Sequence, residues 1–214
     1  MCNFAANFVL DMKNLEEEIL QKSLELFMEY GIRNVSIDTI CNELRISKKT
    51  FYSYFKQKED LVDAILTYDE KINVEEMKKR FGNKNAIESL ISVLKEIKKN
   101  IDCQPKLMWL DIKKYYPKVY EKHEIRRRSI IRKDFEMNLQ QGVEEGFYRD
   151  DLDIELLSVL HSYQLKNIMT SMSQYPKKYS KKRLVDFFID IMIHIIANEK
   201  GLEYVRNNYY ESES

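Results

Sequence analysis

Glycine and proline are scarce in this chain, five and three among 214 residues. Strands joined by tight turns need both, so their scarcity argues against a β-rich architecture and for long helices. Cysteine is scarce too. Cys2, Cys41 and Cys103 are odd in number and far apart, which fits free thiols in a reducing compartment better than a disulfide framework, so a cytoplasmic location is expected. No apolar run approaches the roughly 20 residues that a bilayer-spanning helix requires; the longest, 191–197, already contains His194. Net charge of one sign is missing as well, since 35 Lys and Arg balance 35 Asp and Glu. A uniformly basic coat is thereby excluded, and any polyanion must meet a local patch.

Catalytic and metal-binding patterns are equally absent. His123, His161 and His194 and the three cysteines show no HxxxH, HExxH or CxxC spacing, so no metal and no cofactor is expected. There is no glycine-rich phosphate loop and no GxSxG. Neither Cys41, on the buried stripe of a short helix, nor Cys103, beside Asp102 in an expected turn, has a neighbouring base to activate it. The chain is read as not an enzyme.

What is present is enough to build a core: 44% apolar residues, Trp109, fourteen Tyr and ten Phe, well outside the disordered class. The opening MCNFAANFVLDMKN has no cationic segment followed by a long apolar one, so it does not read as a secretory leader. Residues 1–12 are expected to form a flexible tail, with Met12 an alternative start. Beyond it the apolar periodicity predicts an all-α chain of about nine helices, near 13–30, 37–44, 48–55, 58–80, 85–101, 105–115, 117–144, 153–173 and 181–199. Gly31, Gly82, Gly142, Gly146 and Gly201 follow helix-periodic runs, as helix-ending glycines do.

The sharpest signal is VSIDTICNELRISKKTFYSYFKQK, residues 35–58. Ile37, Ile40, Cys41 and Leu44 make one buried stripe, with Ser36 placed to cap the helix and Val35 and Ile40 spaced as a hydrophobic staple. The grammar then repeats, with Ser47 as cap and Ile46 and Phe51 as staple. Two short helices joined this tightly form a helix-turn-helix. On the second, Phe51 and Phe55 share an inward side, whereas Lys49, Thr50 and Ser53 point away and Tyr52 and Tyr54 occupy opposite flanks. From Arg45 to Lys58 there are five cations and no acid, the footprint that duplex phosphates require. An amphipathic helix pair with a solvated lysine face is the competing reading.

The stretch from Ile19 to Leu66 resembles the DNA-binding domain of the tetracycline-repressor family of bacterial transcription regulators. The matching positions are Gly31, Ser36, Ser47, Tyr52, Phe55, Lys58 and Glu59. The resemblance implies that Ser36 contacts phosphate and that Ser47 caps the recognition helix. Lys48, Lys49 and Thr50 then face the groove, and Tyr52, Tyr54 and Lys58 anchor the DNA backbone. Two departures stand out: Leu44 and Arg45 replace a small residue and a turn glycine, and Gln57 is a weak cap. Arg45 stands in a turn position that often wants positive φ, where it either costs about 1 kcal/mol or adds a phosphate contact. The expected division is then a tail over 1–12, a DNA-binding domain over 13–57, and an effector-binding and dimerisation domain over 58–214 whose first helix, 58–80, connects the two.

In the second half, LVDFFIDIMIHII carries its polar positions Asp186, Asp190 and His194 every four residues, leaving most of that helix apolar, and residues 153–173 have a similarly wide apolar face. Helices apolar on so many sides need cover on more than one. A two-fold, four-helix dimer interface is expected, with Leu157, Leu165, Ile168, Phe188, Ile189, Met192 and Ile196 as candidates. Trp109, Tyr116, His123, Arg127 and His161 are candidates for a small effector. Against them stands the plainer reading that Arg126 to Arg128 form a solvated face, His123 is ordinary surface and His161 is a hydrogen-bonded core histidine. The reading as a whole is a homodimeric transcription regulator, a repressor released by a ligand from a palindromic double-stranded operator and not membrane-bound. The alternative is a helical interaction module, or an unrecognised helical enzyme, that uses the helix-turn-helix only structurally.

Overall fold

The computed structural model describes the backbone of residues 2–100, 107–170 and 179–210, and side chains from Leu15 onward except at 80, 81, 100, 165–170 and 210. Cys103, Leu165 and Ile168 therefore lie outside the described side chains. Among the described residues the chain is all-α, in the order α1 (Cys2–Tyr30), α2 (Ile37–Leu44), α3 (Lys48–Tyr54), α4 (Lys58–Phe81), α5 (Ala86–Asn100), α6 (Leu107–Tyr115), α7 (Pro117–Glu144), α8 (Ile154–Thr170), α9 (Lys181–Ile196) and α10 (Glu199–Val205), closed by a π-helical turn at Arg206–Tyr210. The one β feature among them is an isolated antiparallel bridge between Tyr148 and Ala197. α1 begins at Cys2, ahead of the start near residue 13 that the sequence suggests.

The tenth helix is the main difference from the sequence reading, which runs one helix to 199 and ends it at Gly201. α9 stops earlier because Ala197 turns extended, and Asn198 restarts the chain: its side chain accepts from the Gly201 amide at 3.0 Å and donates to the carbonyls of Gly146 and Tyr148. Gly201 is thus inside α10, where a Cβ would come within 2.2 Å of the Phe147 carbonyl oxygen. Gly142 is likewise inside α7, against the Tyr148 ring, whereas Gly31 and Gly146 do take the left-handed conformation expected of a helix end.

The chain divides into two compact units, the first comprising residues 1–74 and 104–125, the second 75–103 and 126–214. The first unit is not contiguous, because it takes in α6 and the start of α7, which the sequence reading assigns to the C-terminal part. Its core joins Ile19, Phe27, Ile32, Ile40, Phe51, Leu61, Ile65 and Leu66 to Met108, Ile112 and Val119. Each such side chain, fully buried, contributes roughly 1.5–3 kcal/mol. The second unit packs Ile87, Leu94, Phe135, Leu139, Tyr148, Phe188, Met192, Ile193 and Ile196 together.

That second core corrects part of the expected interface. Phe188, Met192 and Ile196 are buried inside their own subunit, and Leu157 and Ile189 are half-buried against the same cluster. The reason is the helical period. Val185, Phe188, Met192, Ile193 and Ile196 fall on one side of α9, and a second apolar side, Phe187, Ile191 and Ile195, is exposed, with Phe187 63% accessible. α8 repeats the arrangement: Ser158, His161 and Ser162 face inward, and Leu156, Leu160 and Tyr163 lie outward.

Candidate nucleic-acid interface

α2 and α3 are each opened by the same device. Ser36 Oγ accepts from the Thr39 amide at 3.0 Å and pairs with its hydroxyl at 2.8 Å; Ser47 and Thr50 repeat both contacts at the same distances. Each cap satisfies an amide that a helix start leaves without a partner. Between the helices Arg45 sits at φ 54°, ψ 37°, and is the one non-glycine residue with positive φ among those described. Its amide donates to the Asn42 carbonyl, and the Ile46 amide reaches back to Cys41, a helix ending that normally calls for glycine. Arg45→Gly is therefore expected to stabilise the protein by about 1 kcal/mol. Urea unfolding with no gain in midpoint contradicts that strain.

Phe51 and Phe55 are buried as expected, with ring centroids 5.8 Å apart, and Tyr52 stands edge-on to Phe51. The opposite side of α3 is open: Lys48, Lys49, Tyr52 and Ser53 are exposed, Thr50 is half-buried, and Tyr54 rests partly on the core. Ser53 Oγ donates to the Thr50 carbonyl at 2.6 Å, so Ser53 and Thr50 lie side by side. Cys41 is buried beneath, which pushes its thiol above its ordinary pKa and leaves it protonated. Arg45, Lys49 and Lys56 make no ion pair among the described residues. Lys48 does pair, with Asp38 at 2.7 Å, an acid the sequence reading passed over. The pair is more than half accessible on both sides and is worth little in water.

Lys58 departs from its expected outward role. Its ammonium donates to the carbonyls of Ile32 and Val35 and lies 5.6 Å from the centre of the Phe27 ring. Burial lowers its pKa, against a raising influence from Asp111. The loop after α1 leaves carbonyls without helical partners, and Lys58 supplies them.

The candidate effector residues are divided between the units, Trp109, Tyr116 and His123 in the first and Arg127 and His161 in the second. His123 is not ordinary surface: it is buried, its Nδ1 lies 2.5 Å from Glu70 Oε1, and Trp109 lies against its ring at 5.2 Å. Tyr116 is half-buried, which raises its pKa. Arg126, Arg127 and Arg128 are half-buried rather than a solvated face, and Arg128 lies 4.9 Å over the Tyr163 ring. An open depression of about 450 Å³ on α7, lined by Ser129, Arg132, Lys133, Glu136, Met137 and Gln140, includes none of the five candidates.

His161 is a core histidine, stacked at 3.9 Å on Phe135 and at 5.7 Å on Phe188, but its Nδ1 has no hydrogen-bond partner among the described residues. Burial pushes its pKa down to about 4. Below pH 6.5 the unfolded chain takes up a proton that the folded one refuses, so stability falls as the pH drops from 6.5 towards 4 and is unaffected above. The loss approaches about 3 kcal/mol at the acid end. His161→Phe is expected to flatten that stretch of the stability–pH curve; an unchanged curve contradicts it.

Residues 19–65 match the family model described as bacterial regulatory proteins, tetR family. Two regulators of Bacillus subtilis (strain 168), both described as uncharacterized HTH-type transcriptional regulators, are similar. YuxN is 40% identical over 57 residues, covering 27% of this chain and 20% of that protein. YerO is 27% identical over 180 residues, covering 74% of this chain and 57% of that protein. The match thus spans a fifth and a little over half of the lengths of these relatives. Among solved structures, a TetR family transcriptional regulator from Cytophaga hutchinsonii superposes with a TM-score of 0.63 at 11% identity, covering 88% of this chain and 98% of that one. The TetR family regulator CifR, complexed with 26bp double-strand operator DNA, gives 0.56 at 16% identity, covering 83% of this chain and 97% of that one. At such identities the structural likeness speaks for the fold alone.

Proposed function

We infer, for a chain whose residues 19–65 match the family model of the tetR bacterial regulatory proteins, that the whole protein is a DNA-binding transcription regulator. The carrying observation is the outer side of α3, which is capped by Ser47 and seated on a buried phenylalanine pair, with Lys49 exposed and unpaired among the described residues. Short polar side chains and lysine on a recognition helix reach base edges, and tyrosines and capped helix starts meet phosphates.

The protein acts as a homodimer, on the support of the exposed apolar sides of α8 and α9. Leu156, Leu160 and Tyr163 on one helix and Phe187, Ile191 and Ile195 on the other are large apolar residues left exposed in the second unit. Monomers rarely leave so much apolar surface bare, and its repeat on two helices fits a four-helix, two-fold contact. Two heads about 34 Å apart then read an inverted repeat.

Release by a small effector follows if the effector prefers a different arrangement of the dimer, lowering operator affinity by about 1–3 kcal/mol. The buried Nδ1 of His161, without a partner among the described residues, supports a polar contact there. The buried Cys41 thiol fits work in a reducing cytoplasm, where duplex DNA is found.

Titration of the purified protein on its own upstream DNA, beside a random duplex, tests the reading. Tyr52→Ala is expected to weaken both duplexes alike, whereas Lys49→Ala and Thr50→Ala weaken the operator selectively, by about 1–3 kcal/mol. Equal losses for all three on every sequence contradict this division, and no salt-sensitive binding at all contradicts the function.

A further inference from the structure

The helix-turn-helix does not hold every concentrated positive charge of the first unit. Residues 113–118 read KKYYPK, with three lysines, two tyrosines and no acid in a chain of balanced charge. Lys113, Lys114 and Tyr115 end α6, and Lys118 is in the first turn of α7. All four are exposed, and none of the lysines makes an ion pair among the described residues.

Folding adds a fourth cation from far away in sequence. Arg33, in the loop between α1 and α2, donates through Nη1 to the Tyr115 hydroxyl at 3.0 Å and lies 4.8 Å over its ring, with Lys114 5.2 Å from the same ring. Lys114 and Arg33 together hold the Tyr115 phenol below its ordinary pKa. Asp111, on α6, is buried and accepts from the Arg33 amide at 3.1 Å, a contact with the loop backbone rather than with the guanidinium.

The position of this patch selects its partner. Arg33 is three residues ahead of Ser36, the cap of α2, a separation of no more than about 11 Å of chain. A duplex carries one charge per about 1.7 Å of its axis, so a strand that meets the start of α2 brings further phosphates within reach. We propose that Arg33, Lys113 and Lys114 form a second phosphate-contacting surface, which extends the duplex interface from the helix-turn-helix onto the end of α6. The partner is the sugar–phosphate backbone, read without regard to sequence. The proposal rests on the DNA-binding function proposed above.

Such a contact shows in the salt dependence of binding, because each phosphate neutralised adds about 0.9 to the slope of log K against log salt. The full-length protein is titrated with a random-sequence duplex over a range of salt. Arg33→Ala with Lys114→Ala is expected to lower the slope by about 2, and Arg33→Lys with Lys114→Arg to retain it. Thermal unfolding of each variant checks that the fold persists; should the alanine pair fail to fold, Lys113→Ala with Lys114→Ala carries the same expected change of slope. A wild-type slope in the alanine variants, while the wild-type protein itself binds the random duplex with a clear salt dependence, overturns this surface and leaves the proposed function standing. Absence of salt-sensitive binding by the wild type overturns both.

Discussion

Phe187→Asp combined with Ile191→Asp is expected to turn the proposed dimer into a monomer. Both side chains are apolar and accessible in the single chain, so replacing them leaves the subunit's own core intact. At a two-fold contact each substitution appears twice, placing four carboxylates in a region that must lose water on association. An unpaired charge buried there is strongly unfavourable. The effect on DNA follows from the geometry. Two linked heads make the second half-site contact intramolecular, an advantage of about 10²- to 10⁴-fold that a monomer forfeits. Sedimentation should report half the mass and the operator titration a loss of that order. A dimer of unchanged mass removes α8 and α9 from the interface. Ile189→Asp makes the contrast: Ile189 rests against its own core, so its replacement lowers the unfolding midpoint instead.

Phe51→Ala is expected to cost roughly 3–5 kcal/mol of stability. The ring is fully buried, meets Phe55 and Tyr52, and belongs to the core shared by α1, α4 and α6. A domain of ordinary stability has only about 5–15 kcal/mol in hand, so the variant should lose most of its margin and present α3 poorly even where it folds. Phe51→Leu keeps most of the volume and should cost far less. Urea unfolding showing less than about 1 kcal/mol lost on the alanine substitution is incompatible with the packing described.

The helix-turn-helix was legible in the sequence to a degree the rest was not, and the reason is local. Ser36 with Thr39, Ser47 with Thr50, the left-handed Arg45 and the Phe51–Phe55 spacing are decided within a turn or two of chain, where period and capping chemistry operate. The fates of Lys58, His123 and Asp111 depend on partners at Val35, Glu70 and Arg33, between 23 and 78 residues away, and no period reports such pairs. The apolar excess of α9 was visible, but not which side its own subunit would claim. Phe188 and Phe187 look alike in a sequence, and one faces the core and the other does not. Asn198, an ordinary cap residue ahead of Glu199, did carry the signal for α10, and the apolar run before it obscured the break.

The first unit's return visit to the chain, in which Met108, Ile112 and Val119 complete a core begun near residue 19, bears on how the protein can be dissected. A head excised at the end of the family match, or grafted onto another regulator's body at that seam, would take α3 with it and leave behind the floor on which α1 and α4 rest. Chimeras that exchange operator preference should therefore carry 104–125 along with the amino-terminal piece, or swap only the outward residues of α3 and keep everything beneath them.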